Sequence, residues 1–285
     1  MLSNLIKGAT FLECAANLEE AVTVLVGAGY DGTSSYRAGS RFAPHAVRSE
    51  TLFSLESYSP YLDRDLGDLL IHDAGDIDLP FGNKEEALVL IRQAAEELLQ
   101  MEKKPFFIGG EHLITLPLFE AALQRYPDLQ LIQLDAHADM IDVLFGDRLS
   151  HGTVVRRIMD LIGGERIYQV GIRSAGREEW QFAKENTHFF PFDTAEFIEQ
   201  SAAIGSVPVY LTIDLDVFDS SLIPGTGTPE AGGIFFPEFI RFLKAVSGLN
   251  IVACDVVELA PQIDSTGAST ALASKVIRET LLAVQ

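Results

Sequence analysis

The stretch LQLIQLDAHAD (129–139) reads as a buried strand running into a functional edge: Leu129, Leu131, Ile132 and Leu134 are followed by Asp135, His137 and Asp139 at alternate positions. A half-exposed strand alternates apolar and polar residues, whereas a parallel strand covered by helices on both faces stays apolar nearly throughout. Similar runs occur at TVLVGAG (23–29), LLIHDAG (69–75), PFFIGG (105–110), RIYQVGI (166–172), HFFPF (188–192), VPVYLTID (207–214) and NIVACDVV (250–257). Amphipathic segments lie between most of them. The clearest spans 84–102, with Leu88, Ile91, Ala95 and Leu98 at helical spacing behind Asn83 as N-cap and Glu86 three residues on. Further helices fit near 113–125, 152–162, 176–186, 194–203, 237–247 and 269–283. Repeated strand-helix units imply an α/β fold with a mostly parallel sheet. An open doubly wound sheet and a closed barrel both satisfy this pattern, and both gather functional groups where strands end.

The 285 residues include 47% apolar and 22% charged residues, enough core to exclude disorder, and no repeat or Pro/Gly/Ser linker divides them, so residues 1–285 read as one domain. The formal charge of −20 repels nucleic acid and anionic lipid surfaces and favours metal cations or cationic small molecules. Cys14 and Cys254 are too few for a disulfide framework, which suits a reducing compartment. Lys7, Glu13, Glu19 and Glu20 interrupt the N-terminal apolar residues, unlike a secretory signal, and no stretch reaches the roughly 18 apolar residues of a membrane span. A cytoplasmic protein without nucleic-acid or membrane partners is expected.

The chemistry-bearing residues sit at strand C-termini. PFFIGG runs into Glu111 and His112, VPVYLTID into Asp214 and Asp216, and NIVACDVV into Glu258, alongside Asp135, His137 and Asp139. At an extended strand end, residues two apart face the same side, so each Asp-x-His-x-Asp or Asp-x-Asp set can address one pocket. Such crowding of carboxylates is repulsive without cations among them. If Asp135 and Asp214 bridge, six side chains give two ions about four protein contacts each, with room for a water between. Imidazole and carboxylate ligands without thiolate suit manganese and also accept zinc, iron, nickel or cobalt. A single Asp at a strand end is ordinarily a cap and a single His a structural residue. It is the repetition at several strand ends that favours a metal site, whereas His45, His72 and His188 lack a comparable constellation and read as structural. Two bridged cations produce hydroxide near neutral pH, so the reaction class is hydrolysis; the metal set leaves open which bond is attacked.

GGEH (109–112), DAHAD (135–139), SHGT (150–153), TIDLDVFD (212–219) with PGTGTPEAGG (224–233), and VVELAP (256–261) together resemble the arginase–agmatinase, or ureohydrolase, family. YDGTSSYRAGSRFAPHAVR (30–48) and GIRS (171–174) extend the resemblance over most of the chain in order. It implies a three-layer α/β/α fold around an eight-stranded, mostly parallel sheet. It also implies two Mn2+ per chain, with Ni2+ or Co2+ as alternatives, and a homo-oligomer, a trimer or hexamer. Carried over by position, it makes His112, Asp135, Asp139 and Asp214 ligands of one ion and Asp135, His137, Asp214 and Asp216 ligands of the other. His151 matches the family's proton-shuttling histidine and Glu258 the glutamate that holds the guanidinium. Asp139 is expected also to stabilise the protonated leaving group. The implied reaction is attack of a metal-bridging hydroxide on the guanidinium carbon of a small cationic substrate.

Leu149 stands where arginases usually carry an Asn, and Ser174 where they tend to carry an acid, so the pattern is nearest the agmatinases, which convert agmatine to putrescine and urea. The sister substrates are guanidinobutyrate, guanidinopropionate, guanidine, formiminoglutamate and arginine. Asp142 and Asp147, in the loop before His151, are candidates to meet the distal amine. PGTGTPEAGG reads as a rigid wall of the site. A non-catalytic metal-stabilised scaffold would have lost a ligand, His151 or Glu258. A binuclear phosphoesterase would need Arg or Lys beside the ligands, where the motifs supply acids, apolar residues and glycine.

Overall fold

The computed structural model describes residues 4–285. Met1–Ser3, at the start of the stretch read as lacking a secretory signal, lie outside the described residues. In chain order the strands are β1 (Leu5–Ile6), β2 (Thr23–Ala28), β3 (Tyr58–Ser59), β4 (Arg64–Asp65), β5 (Ile71–Ile77), β6 (Lys104–Gly109), β7 (Gln130–Leu134), β8 (Ile167–Ile172), β9 (His188–Pro191), β10 (Pro208–Asp214) and β11 (Asn250–Val257). The α-helices are α1 (Ala43–Ser54), α2 (Lys84–Gln100), α3 (Thr115–Arg125), α4 (Val154–Ile162), α5 (Arg177–Asn186), α6 (Ala195–Gln200), α7 (Phe236–Val246) and α8 (Ala268–Ala283). β3 and β4 form a small separate ribbon; the other nine strands make one sheet in the order β1-β5-β2-β6-β11-β10-β7-β8-β9.

The sheet is open, and the eight expected strands are all present and run parallel to one another. The ninth, β1, is a two-residue antiparallel addition in which Leu5 and Ile6 pair with Ile77 and Asp76. Two residues are too few to show any periodicity. The strands are buried as their continuous apolar character demands: β2 is buried throughout, and β11 at every residue but Asn250. One apolar core, with α1, α6, α7 and α8, fills one face; the other, with α2, α3, α4 and α5, fills the opposite face. α2 starts as expected, Asn83 Oδ1 accepting from the Glu86 backbone N at 3.2 Å.

The sequence reading missed α1. Its inward stripe includes Arg48 and Thr51 among Ala43, Pro44 and Val47, so the apolar spacing is broken. Arg48 is buried because its guanidinium meets Asp73 at 2.7 and 2.8 Å and also contacts Asp76. Buried charge is tolerated only when so paired.

After β6 the chain skips two sheet positions to β7, and β10 and β11 later fill the gap. The strands whose ends carry the candidate site residues, β6, β11, β10 and β7, thus become four consecutive neighbours. Their registers match: Asp214 lies opposite Val257, and Ile213 opposite Leu134, so Asp135, Asp214 and Glu258 emerge at one level. Such a reversal of strand order is where open α/β sheets place their sites.

Candidate metal centre

The carboxylates of Asp135, Asp139, Asp214 and Asp216 and the imidazoles of His112 and His137 converge at this edge. His112 Nδ1 lies 3.1 Å from Asp135 Oδ2, 3.0 Å from Asp139 Oδ2 and 3.4 Å from Asp214 Oδ2. His137 Nδ1 lies 3.0 Å from Asp216 Oδ2 and 3.8 Å from Asp135 Oδ1. Two compact donor groups result, His112–Asp135–Asp139 and Asp135–His137–Asp216, sharing Asp135. Asp214 joins the first through His112, while its Oδ1 accepts from the Asp216 backbone N at 2.8 Å.

Local structure fixes these positions. The Asp135 side chain accepts from the His137 backbone N at 2.6 Å and from Gln133 Nε2 at 2.7 Å, curling the chain after β7. His112 Nε2 contacts Thr212 Oγ1 at 2.9 Å, which leaves Nδ1 toward the carboxylates. Asp139 and Glu258 both adopt positive φ, 53° and 71°. Non-glycine residues take that region sparingly, and it recurs at functional sites.

The electrostatics favour a cation among these groups. All four aspartates are buried. Burial and the Asp135 charge push Asp139 up to about 7, and burial with the Asp216 and Asp135 charges holds Asp214 well above its ordinary value. Burial opposes charging of His137, but Asp216 and Asp135 outweigh it and raise that imidazole to about 11. His112 Nδ1, although buried among carboxylates, has no hydrogen bond of acceptable geometry among the described residues. A nitrogen lone pair and several carboxylate oxygens converging without mutual hydrogen bonds fit a divalent cation of the manganese type.

A cavity of about 250 Å³ opens onto this cluster. His151 and Glu258 line it with Ser35, Ile141, Leu144, Ala175, Glu179 and Thr228. His151 Nε2 lies 3.0 Å from Ser35 Oγ, and burial holds its imidazole below the usual range. Glu258 Oε1 accepts from the His112 backbone N at 2.7 Å. Burial, then the Glu111 charge, keeps Glu258 well above the usual carboxylate range, an environment suited to a cationic partner.

Asp142 and Asp147 do not line this cavity. Asp142 pairs with Arg148 at 2.9 Å and Arg157 at 2.6 Å, and Asp147 pairs with Lys84, so both acids fasten the loop instead of facing a substrate. The three histidines read as structural stand apart: His72 Nδ1 contacts the Ala16 carbonyl at 2.7 Å, His188 stacks on Tyr168, and His45 is exposed. Ser35 and Glu230 lie in stretches the sequence singled out but were given no role there, and Glu179 had no sequence signal. Glu230 Oε1 accepts from Ser174 Oγ at 2.8 Å and lies 3.9 Å from His137 Nε2. PGTGTPEAGG forms a wall, tied by Arg37 to the Thr226 carbonyl at 2.9 Å and by Arg173 to the carbonyls of Glu230 at 3.0 Å, Ala231 at 3.1 Å and Asp216 at 2.7 Å. Gly233 allows this closeness, since a Cβ there would lie 2.4 Å from the Val217 carbonyl oxygen.

An open α/β/α sheet with carboxylates and imidazoles gathered at its switch point is an arrangement that suits metal-dependent hydrolysis. The chain belongs to the arginase family, whose model matches residues 21–283. It is 44% identical over 279 residues to an agmatinase of Bacillus cereus, covering 96% of each chain, and 31% identical to a guanidinobutyrase of Pseudomonas aeruginosa, covering 95% of this chain and 88% of that one. The solved structure of an agmatine ureohydrolase of Thermoplasma volcanium superposes with a TM-score of 0.87 at 30% identity, covering 98% of this chain and 95% of that one. The protein is an agmatinase-like ureohydrolase.

Proposed function

We propose that the protein hydrolyses agmatine to putrescine and urea at two divalent cations, manganese by preference. The observation that carries this reading is the convergence of His112, Asp135, His137, Asp139, Asp214 and Asp216 beneath a cavity also lined by His151 and Glu258. We assign His112, Asp135, Asp139 and Asp214 to one ion and Asp135, His137, Asp214 and Asp216 to the other. When bound, the ions supply water ionisation near neutral pH.

The chain's own groups do the rest. Glu258 receives the guanidinium through charge-assisted hydrogen bonds and fixes its plane over the cluster. His151, neutral at pH 7 because burial lowers its imidazole, relays the proton that the departing amine requires. Asp139, beside His112, stabilises that amine as it becomes an ammonium. Ile141 and Leu144 offer an apolar side to an aliphatic tail. None of the described residues lining the cavity is Lys or Arg, which leaves a carboxylate-tailed guanidino compound without a cationic partner and supports agmatine over guanidinobutyrate, guanidinopropionate and arginine. The agmatinase relatives support the same preference.

Both cysteines are free and buried, which supports a cytoplasmic location; among the described residues no helix is long and apolar enough to cross a membrane. One sheet reaching from Leu5 to Val257 supports treating residues 1–285 as one unit, and the family resemblance supports a homo-oligomer, a trimer or hexamer. The test is urea release by manganese-loaded protein from agmatine, arginine, guanidinobutyrate, guanidinopropionate and guanidine. Agmatine should lead by at least ~100-fold in kcat/KM, since a lost ammonium contact or an unpaired carboxylate costs that much. A better carboxylate-tailed substrate would refute the substrate assignment, and no urea from any of them would refute the reaction.

A further inference from the structure

Glu111 is buried beside His112, yet its carboxylate turns away from the metal cluster to collect a loop 77 or more residues away in sequence. Its Oε2 accepts from the Thr33 backbone N at 2.8 Å and Ser34 Oγ at 3.2 Å, and its Oε1 accepts from Thr33 Oγ1 at 2.5 Å. Thr33 Oγ1 in turn accepts from the His151 backbone N at 3.1 Å. The amide of His151 can only donate, so the Thr33 hydroxyl accepts there and keeps its own hydrogen for Glu111 Oε1. The next residue but one, Ser35, brings Oγ to within 3.0 Å of His151 Nε2 at the cavity wall.

The preceding residue locks the same loop. A Cβ on Gly110 would lie 1.9 Å from the Tyr30 carbonyl oxygen, so only glycine admits the loop here, and the Glu111 backbone N donates to that oxygen at 2.7 Å. The loop is thus held to Gly110-Glu111 at Tyr30 and again at Thr33 and Ser34, directly before Ser35.

We propose that Glu111 is a positioning residue for the proton-transfer group: it seats the Thr33–Ser35 turn, which fixes the backbone of His151 through Thr33 and its ring through Ser35. The part concerning proton transfer rests on the role assigned to His151 above. The part concerning the loop stands on hydrogen bonds alone.

Glu111→Gln tests it, because one acceptor oxygen becomes an NH2 that must face a Thr33 or Ser34 donor. In metal-free protein, amide hydrogen exchange at Thr33 and His151 should quicken by about tenfold or more while the central strands keep their protection. In the manganese-loaded enzyme, kcat on agmatine should fall by about tenfold or more with KM nearly unchanged and bound manganese undiminished, as expected for a misplaced acid–base group. In a His151→Asn background, Glu111→Gln should cost less than about twofold, because the group it positions is already gone.

If Glu111→Gln does not fold, Thr33→Val carries the test. It removes only the hydroxyl link and should quicken exchange at His151 and lower kcat likewise. Unchanged exchange at His151, loss of manganese, or an equal cost of Glu111→Gln in wild-type and His151→Asn backgrounds would each overturn the proposal. Absence of urea from wild-type protein would instead count against the function proposed above, and the exchange arm would still decide the inference.

Discussion

Asp135 is fully buried, belongs to both donor groups, and spends its remaining hydrogen-bonding capacity on His137 N and Gln133 Nε2, so no neighbour can replace it. Asp135→Ala should therefore weaken manganese binding by more than about 100-fold, beyond the range typical of outer-sphere partners, and abolish turnover. Glu258→Gln keeps every proposed ligand and should retain both ions while losing on the order of 100-fold in kcat; metal analysis beside urea release separates the two cases. Asp139 gives a pH signature. Its carboxyl is raised to about 7 in the folded, metal-free protein, against about 3.9 in an unfolded chain. Between those values the native state holds more protons, so its contribution to stability is lost as pH rises toward 7. Metal-free Asp139→Asn should melt above wild type at pH 8, and the difference should shrink toward pH 4. Manganese should reverse the order at pH 8, and a wild type that melts higher without metal at pH 8 would contradict this. The convergence of the six candidate ligand residues was legible because strand ends make alternation visible in one line of sequence. Ser35 and Glu111 were not, because their meaning lies in contacts with residues far away in the chain.

At the scale of elements, strands were read well and their partners less so. Each of the eight apolar runs is a strand, because full burial between helices imposes continuous apolar character. α1 escaped because Arg48, paired with Asp73 and Asp76, occupies its inner face; a tertiary ion pair erases an apolar stripe. The glycine-rich turn after β10 was legible as a wall through its Gly and Pro content, but its anchors were not. Arg173 is the chief anchor, donating to carbonyls of Asp216, Val217, Glu230 and Ala231. Arg173→Lys preserves the charge and loses the planar fork, so it should destabilise the metal-free protein by about 1–3 kcal/mol, measured by denaturant unfolding. Destabilisation below ~0.5 kcal/mol, the level of ordinary surface changes, would mean that the wall does not depend on it.

For the whole molecule, the gap left between β6 and β7 is the decisive event: filling it with β11 and β10 draws four acid- or histidine-bearing strand ends side by side. Periodicity predicted the strands but could not rank their order, so open sheet and barrel were separated only by the family resemblance and then by the structure. The net charge of −20 suits a protein that concentrates cations, both ions and substrate. On the function proposed above, two ions at this edge are what make the chain a guanidino hydrolase. Metal-free protein should be titrated with manganese while urea release from agmatine is followed. Activity should be absent at the start, rise with added metal and level off at two equivalents per chain; full activity without metal, or a plateau at one equivalent, would contradict the account.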